Sequence, residues 1–349
     1  MSRWLSMAPM LITILALSGC PGKGELKPDA KADAASPARI ELQGAWEQDV
    51  KVKLTELIQT KGKASQGYDQ AAPPLVVFDF DNTSIRGDIG RAFFDWMSVH
   101  QKFQFTDPIW EALPDDKRAG IRDAWEAVQK LPEAQRAAAK ELQEFRKRMH
   151  QAYWSLCHEA DADKCYPWQV RFYAGYTPDE VRAMAAEVFT YELGRKLGSE
   201  PIRAGDDDPK PAITSTGIRV HAEIKDLMKV LAQQGFDVWV VTAGPQWVVQ
   251  AASTHFPIKA EKMIGMRTKL VDGKLTTEME PPPTFRQGKV DAIKQFIGKK
   301  PVLVLGDSWT DAEMMEYADH AILIDRGYAD LRKKAFEAGW WIQPAFPVK

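Results

Sequence analysis

The stretch Pro74 to Thr83, PLVVFDFDNT, sets two carboxylates, Asp79 and Asp81, at the end of the apolar run Leu75 to Phe78. A continuous apolar run with a turn signal before it is expected of a parallel strand covered on both faces. Carboxylates at the carboxyl end of such a strand stand where open α/β sheets bind ligands. A divalent cation there would let both remain ionised at close range. Taken alone, Asp-Phe-Asp-Asn-Thr reads equally well as a strand end and a turn, because Asp and Asn initiate turns and cap helices. The rest of the chain decides between the two.

The 349 residues are 45% hydrophobic and carry a formal net charge of -2. That is enough for a large core or a domain with an insertion, and it offers no electrostatic reason to expect nucleic acid as a partner. Residues 1–20 read as a targeting segment: Arg3 precedes the apolar MAPMLITILALSG, which is short for a membrane span. Leu17 to Cys20 resembles the bacterial lipoprotein processing box. That resemblance implies lipidation at Cys20, a membrane anchor and a place in the cell envelope; an ordinary signal peptide is the alternative. Residues 21–38, rich in Lys, Asp, Ala, Gly and Pro, are expected to form a flexible tether. Cys157 and Cys165 are the two other cysteines, and in an exported chain they suit a disulfide closing a small loop. The HEADADK between them carries His158, Glu159, Asp161 and Asp163. It reads as a solvated acidic turn rather than a metal loop, lacking the glycine and terminal glutamate of a calcium site.

Residues 39–60 carry Leu42, Trp46, Val50, Leu54, Leu57 and Ile58 at helical spacing. Past Thr83 the pattern is helical with no convincing strand, over Ile89–Lys102, Pro114–Lys130, Pro132–Leu156 and Thr177–Leu197. Residues 84–235 are therefore expected to be an inserted helical cap domain on a core of 39–83 and 236–349. Toward its end Val220–Gln234 is a helix stopped by Gly235. FDVWVVTAG is then a strand ending near Thr242, and residues 263–279 alternate around the hairpin signal Asp272–Gly273. Arg286–Ile297 is a helix with Lys289 near its start. PVLVLGDSWTD is a strand ending at Gly306-Asp307, with a helix beginning near Thr310 and Asp311, and HAILIDRG is a fourth strand. Strands alternating with helices predict an α/β fold with a doubly wound parallel sheet.

With DFDNT, VVTAG, GK and GDSWTD in that order, and the insertion between the first two, the chain resembles the haloacid dehalogenase superfamily of phosphatases. The resemblance covers about residues 74–326 and implies a magnesium-dependent phosphomonoesterase acting on a small phosphorylated substrate. By it Asp79 is the nucleophile and Asp81 the general acid and base. Thr242 and Lys289 bind the phosphoryl group. Asp307, with the Asp79 carboxylate and the Asp81 carbonyl, holds Mg2+, and Asp311 orients those ligands or reaches the metal. Each residue also has an ordinary reading: Asp307, Ser308 and Asp311 as helix caps, Lys289 as a solvated helix residue, Thr242 as a strand-end hydroxyl. Their joint occurrence argues against the ordinary readings.

Within the superfamily the chain is most similar to the phosphoserine and phosphorylcholine phosphatase group. Asp88 stands at the spacing from Asp79 at which phosphoserine phosphatases carry an acidic residue facing the substrate ammonium; it also suits an N-cap for the helix from Ile89. The insertion is rich in rings, among them Phe93, Phe94, Trp96, Trp110, Trp125, Trp154, Trp168, Tyr173 and Tyr176. Such rings either pack as cap core or form a cage for an ammonium group. The sequence leaves the oligomeric state open.

Overall fold

Six strands, all parallel, make the central sheet. They are Leu75–Phe78 (β1), Asp237–Pro245 (β2), Met263–Met266 (β3), Leu303–Gly306 (β4), His320–Asp325 (β5) and Trp341–Pro344 (β6), in the order β6-β5-β4-β1-β2-β3. The structure is a computed structural model, and it describes residues 40–159 and 162–348. The targeting segment, Cys20 and the tether lie outside the described residues, as do positions 160 and 161 and the side chains of 158–163 in the acidic turn. Among the described residues, no helix is long and apolar enough to cross a membrane.

Period-2 alternation on strands buried on both faces explains the apolar runs. Val76 and Phe78 of β1 enter the larger of two apolar clusters, with Val240, Leu305 and the helix Gln48–Lys61; Leu75 and Val77 enter the other, with Val241, Val304, Leu323 and Met314. Register then fixes the functional edge. Phe78 stands opposite Leu305 of β4 and Val240 of β2, so the residues that follow, Asp79, Asp307 and Thr242, emerge side by side. The predicted hairpin is present as Thr268–Val271 and Lys274–Met279, with Asp272 and Gly273 both at positive φ, a two-residue turn that the Asp-Gly pair accepts.

Between β1 and β2 the chain builds the insertion. It contains the helices Ile89–Val99, Asp107–Ala112, Asp115–Gln129, Lys140–Trp154, Ala162–Val170 and Pro178–Gly194, the last opened by a Thr177–Glu180 capping box. Two features differ from the all-helical insertion of 84–235. An antiparallel ribbon, Gly198–Ile202 with Ala212–Thr216, lies inside it, and a short pair, Ile85–Arg86 with Arg219–Val220, joins its entry and exit. These strands are short and half-exposed, so they lack the apolar run that marked the core strands. The helix Ala222–Gln233, which a boundary at 235 assigns to the cap, packs on β2 through a face of Ile224, Leu227, Met228 and Leu231. It belongs with the sheet.

Candidate active site

The site begins with Asp79, whose backbone N–H donates to the Leu305 carbonyl and so extends the β1–β4 ladder by one bond. Lys289 reaches it from the helix Gln287–Ala292. Its Nζ donates to Asp79 Oδ1 at 2.6 Å and to Asp311 Oδ1 at 2.5 Å, and the lysine is fully buried. The glycine before it is a steric requirement, since a Cβ on Gly288 would lie 1.6 Å from the Pro283 carbonyl oxygen. Gly306 is a second such position: its Cβ would meet the Asp311 Cβ at 2.5 Å. The GK and GD of the motifs are thus backbone approaches that bring Lys289 and Asp311 in.

Asp311 Oδ2 accepts from the backbone N–H groups of Asp307 and Ser308 and from the Ser308 hydroxyl, within a capping box. With Oδ1 on Lys289, its oxygens are committed to protein donors, so of the two roles that the sequence left open, orienting its neighbours fits better than ligating a metal. Asp307 Oδ1 accepts from the Thr83 hydroxyl at 3.0 Å and Oδ2 from Arg326 Nη1 at 2.7 Å. Asp81 Oδ1 accepts from the Ile89 N–H, and Thr242 Oγ1 accepts from the Gly244 N–H. Asp88 caps the helix Ile89–Val99, accepting from the Arg91 N–H, and also lines the pocket.

Burial perturbs these acids. Desolvation, with the Asp311 and Asp307 charges adding and Lys289 opposing, pushes Asp79 up to about 8. Desolvation, then the Asp311 charge, lifts Asp307 to about 6 against the pull of Arg326 and Thr83. Asp81 is held well above the carboxylate range by burial and then by Asp88, the Ile89 N–H opposing. Lys289 is desolvated too, but the Asp311 and Asp79 carboxylates outweigh that and keep it charged. A carboxyl held protonated, as Asp81 is, suits a general acid, whereas Asp79 and Asp307 have to be ionised to attack phosphorus or hold a cation.

Carboxylate oxygens of Asp79, Asp307 and Asp311 all lie within 4.8 Å of one another, and all three residues are buried. Hard oxygen donors whose three charges exceed the two of Lys289 and Arg326 fit a magnesium-sized cation. Asp79 and Asp307 would be its side-chain ligands.

These groups open into a pocket of about 310 Å³ lined also by Asp88, Tyr153, Tyr166, Gln169, Tyr328, Arg326 and the bonded pair Cys157 and Cys165. Hollows of about 520 and 740 Å³ inside the cap touch none of the carboxylate cluster, so size alone misplaces the site. The nine rings singled out in the sequence do not line this pocket. Phe93, Phe94, Trp110, Trp168 and Tyr173 are buried, Trp96, Trp125 and Tyr176 pack against them, and Trp154 is 43% exposed beyond the pocket. Phe94 alone tilts against Phe103, Tyr153 and Trp168 and meets Phe172 edge-on. All but Trp154 are cap core, and the rings at the pocket are three tyrosines. Thr83 and Arg326 were also missed. Arg326 had a signal, since it directly follows the apolar β5.

A family model described as haloacid dehalogenase-like hydrolase matches residues 76–316. The phosphorylcholine phosphatase of Pseudomonas aeruginosa is 26% identical over 319 residues, covering 82% of this chain and 80% of that protein. The phosphoserine phosphatase of Halobacterium salinarum is 29% identical over 149 residues, covering 41% of this chain and 69% of its own. A crystal structure of a protein of unknown function from Anaerococcus prevotii superposes with a TM-score of 0.75 at 24% identity, over 86% of this chain and 93% of that one.

Proposed function

The chain belongs to the haloacid dehalogenase-like hydrolase family, and from that premise we propose a magnesium-dependent phosphomonoesterase that works through an aspartyl-phosphate on a small substrate with a cationic head. The chain is a phosphatase, related to phosphorylcholine and phosphoserine phosphatases at modest identity. The observation that carries the finer reading is the convergence of Asp79, Asp81, Thr242 and Asp307 on one small pocket walled by Asp88 and three tyrosines.

Asp79 attacks the phosphorus as the bond to the leaving oxygen breaks, and Asp81, kept protonated by burial, gives that oxygen its proton. Water then attacks the acyl phosphate, losing its proton to Asp81, and the bond from phosphorus to Asp79 breaks to release phosphate. Lys289 stays charged throughout, balancing Asp79 and the transferring group. Thr242 spends its lone pair on the Gly244 N–H, which leaves its proton for a phosphoryl oxygen. A magnesium ion held by Asp79 and Asp307, with the Asp81 carbonyl, would supply further neutralisation of phosphoryl charge. With Cys20 as a lipidated first residue, the same proposal puts the enzyme in the cell envelope.

Asp79 and Asp307 predict how magnesium and pH interact. Both have folded values above the ordinary carboxylate range, so the folded protein holds more protons than the unfolded one. The stability this gives is complete below that range and is lost as pH rises through about 6 and then about 8. A divalent cation restores it, and restores most where the acids are ionised. The magnesium-induced rise in Tm should therefore be larger at pH 8.5 than at pH 6; comparing with and without magnesium at each pH cancels His221, which burial pushes down to about 4. An equal rise at both values would reject these two acids as the site.

For the head group, Asp88 offers charge, and Tyr153, Tyr166 and Tyr328 line the same pocket, where a ring face met by an ammonium group is worth about 0.5–2 kcal/mol. Phosphate release with magnesium should favour phosphocholine, phosphoethanolamine or phosphoserine over sugar phosphates and nucleotides. Asp88→Asn should raise KM for the best of them about tenfold while moving an aryl phosphate far less. Equal use of sugar phosphates, or an Asp88→Asn loss shared by the aryl phosphate, would remove the cationic head from the reading.

A further inference from the structure

Asp81 is oriented by a single bond. Its Oδ1 accepts from the Ile89 N–H at 2.9 Å. Its Oδ2 accepts no hydrogen bond among the described residues and lies against Gly244, where a Cβ would meet it at 2.9 Å. The donor belongs to the first turn of the helix Ile89–Val99, and that turn is gripped from two sides. Gln169 Nε2 donates to the Gly90 carbonyl, while the Asp88 carboxylate accepts from the Arg91 N–H, so the two side chains hold opposite ends of one planar peptide unit. Gln169 is itself fixed: it is 5% exposed, and its neighbour Trp168 is tied through Nε1 to the Ala112 carbonyl. On the core side the slot is closed by the last residue of β2. A Cβ on Gly90 would stand 2.9 Å from Pro245 Cδ and 3.3 Å from the Gln169 amide, so glycine is what passes between them.

We propose that Gln169 is a positioning residue for proton transfer: it fixes the first turn of the helix Ile89–Val99, and through the Ile89 N–H it sets the direction in which Asp81 presents Oδ2. The inference rests on the phosphatase reading above, in which the proton of Asp81 passes to the leaving oxygen as the bond from that oxygen to phosphorus breaks. Holding one carboxyl oxygen decides where the other points. A first-turn N–H has no partner inside its own helix and is free to bond Asp81, but it is a firm anchor only if the turn that carries it cannot shift. Gln169 from one side and Pro245 from the other supply that restraint. A proton donor has to lie within hydrogen-bond reach of the oxygen it serves, and a displacement of about 1 Å can cost on the order of 100-fold. Gln169 also lines the pocket, so direct contact with the substrate is the competing role.

The measurement is kcat/KM of the purified full chain, with magnesium, on two esters of similar size and no ammonium group: benzyl phosphate, whose alkoxide needs a proton to leave, and p-nitrophenyl phosphate, whose phenolate does not. Gln169→Met, which keeps the length and removes the donor, should lose about 10–100-fold on benzyl phosphate and little on p-nitrophenyl phosphate. In an Asp81→Asn background the same substitution should cost benzyl phosphate almost nothing further, because residues that act through one group are not additive. An equal loss on both esters, or a loss that adds in full to that of Asp81→Asn, would overturn the proposal and make Gln169 a substrate contact or a packing residue. Should Gln169→Met not fold, Gly90→Ala displaces the same turn from the side of Pro245 and should show the same split between the esters; no split would overturn the proposal equally. If Asp81→Asn itself affected both esters alike, or the wild type released no phosphate, the proton-donor reading would fail and take this inference with it.

Discussion

Asp79→Asn should keep the fold and lose at least about 10⁴-fold in kcat, the scale seen when a covalent nucleophile is removed while binding groups remain. The amide is isosteric, and its oxygen still accepts from Lys289, so the neighbouring geometry has no reason to move. What disappears is the carboxylate able to form a phosphoryl ester. Stability should not fall with activity. Burial and the Asp311 charge already resist ionisation of Asp79, so a neutral side chain there relieves a like-charge contact, and the metal-free variant should melt at or above wild type at pH 8.5. Asp81→Asn should cost less, about 10²–10⁴-fold, and least with an aryl phosphate whose leaving group needs no proton. Magnesium-dependent turnover by Asp79→Asn at a rate near wild type would sink the nucleophile assignment, and a collapse of its Tm would show that the loss of activity had a trivial cause.

What the sequence made legible follows from where each residue gets its information. Asp79, Thr242 and Asp307 were readable because each closes an apolar run, and parallel register carries such ends to one edge. Lys289 and Asp311 were readable as members of the GK and GDSWTD motifs, whose glycines the structure shows to be steric requirements. Thr83 was not, because its meaning is a contact with Asp307 224 residues away and a lone hydroxyl carries no local mark of it, whereas Arg326, 19 residues from Asp307, was passed over although it directly follows an apolar strand. The tyrosines failed for another reason. Ring-rich helices pack rings on rings, so Phe94 and Trp168 look no different in sequence from Tyr153, although only the last reaches the pocket. The cap ribbon hid because its strands are short and their faces do not sort by polarity, Thr214 and Thr216 being buried and Ile213 exposed.

Lys289→Met is the other substitution with a large expected effect, and it separates charge from shape. Methionine matches the buried stem but leaves Asp79 and Asp311, 0% to 8% exposed in their side chains, without their shared cation. Removing one partner of such a cluster typically costs about 3–5 kcal/mol, because the remaining charges stay buried and unpaired. Asp79, which burial and the Asp311 charge already push up, can escape part of that by taking up a proton, which fixes the sign of the pH dependence. The deficit against wild type should be largest at pH 8.5 and shrink toward pH 5, where a protonated Asp79 no longer needs a counter-ion. Magnesium should recover some of it by replacing the missing charge near Asp79. Activity is not recovered, because nothing then holds Asp79 in line or meets the transferring phosphoryl from the lysine's side, and a loss of about 10²–10³-fold is expected at saturating magnesium. Lys289→Arg should fare no better, since a planar fork does not fit a fully enclosed slot between two carboxylates. Urea unfolding at the two pH values, with and without magnesium, measures the deficit; one independent of pH would mean that Lys289 matters by filling space, and its charge would have to be removed from the mechanism.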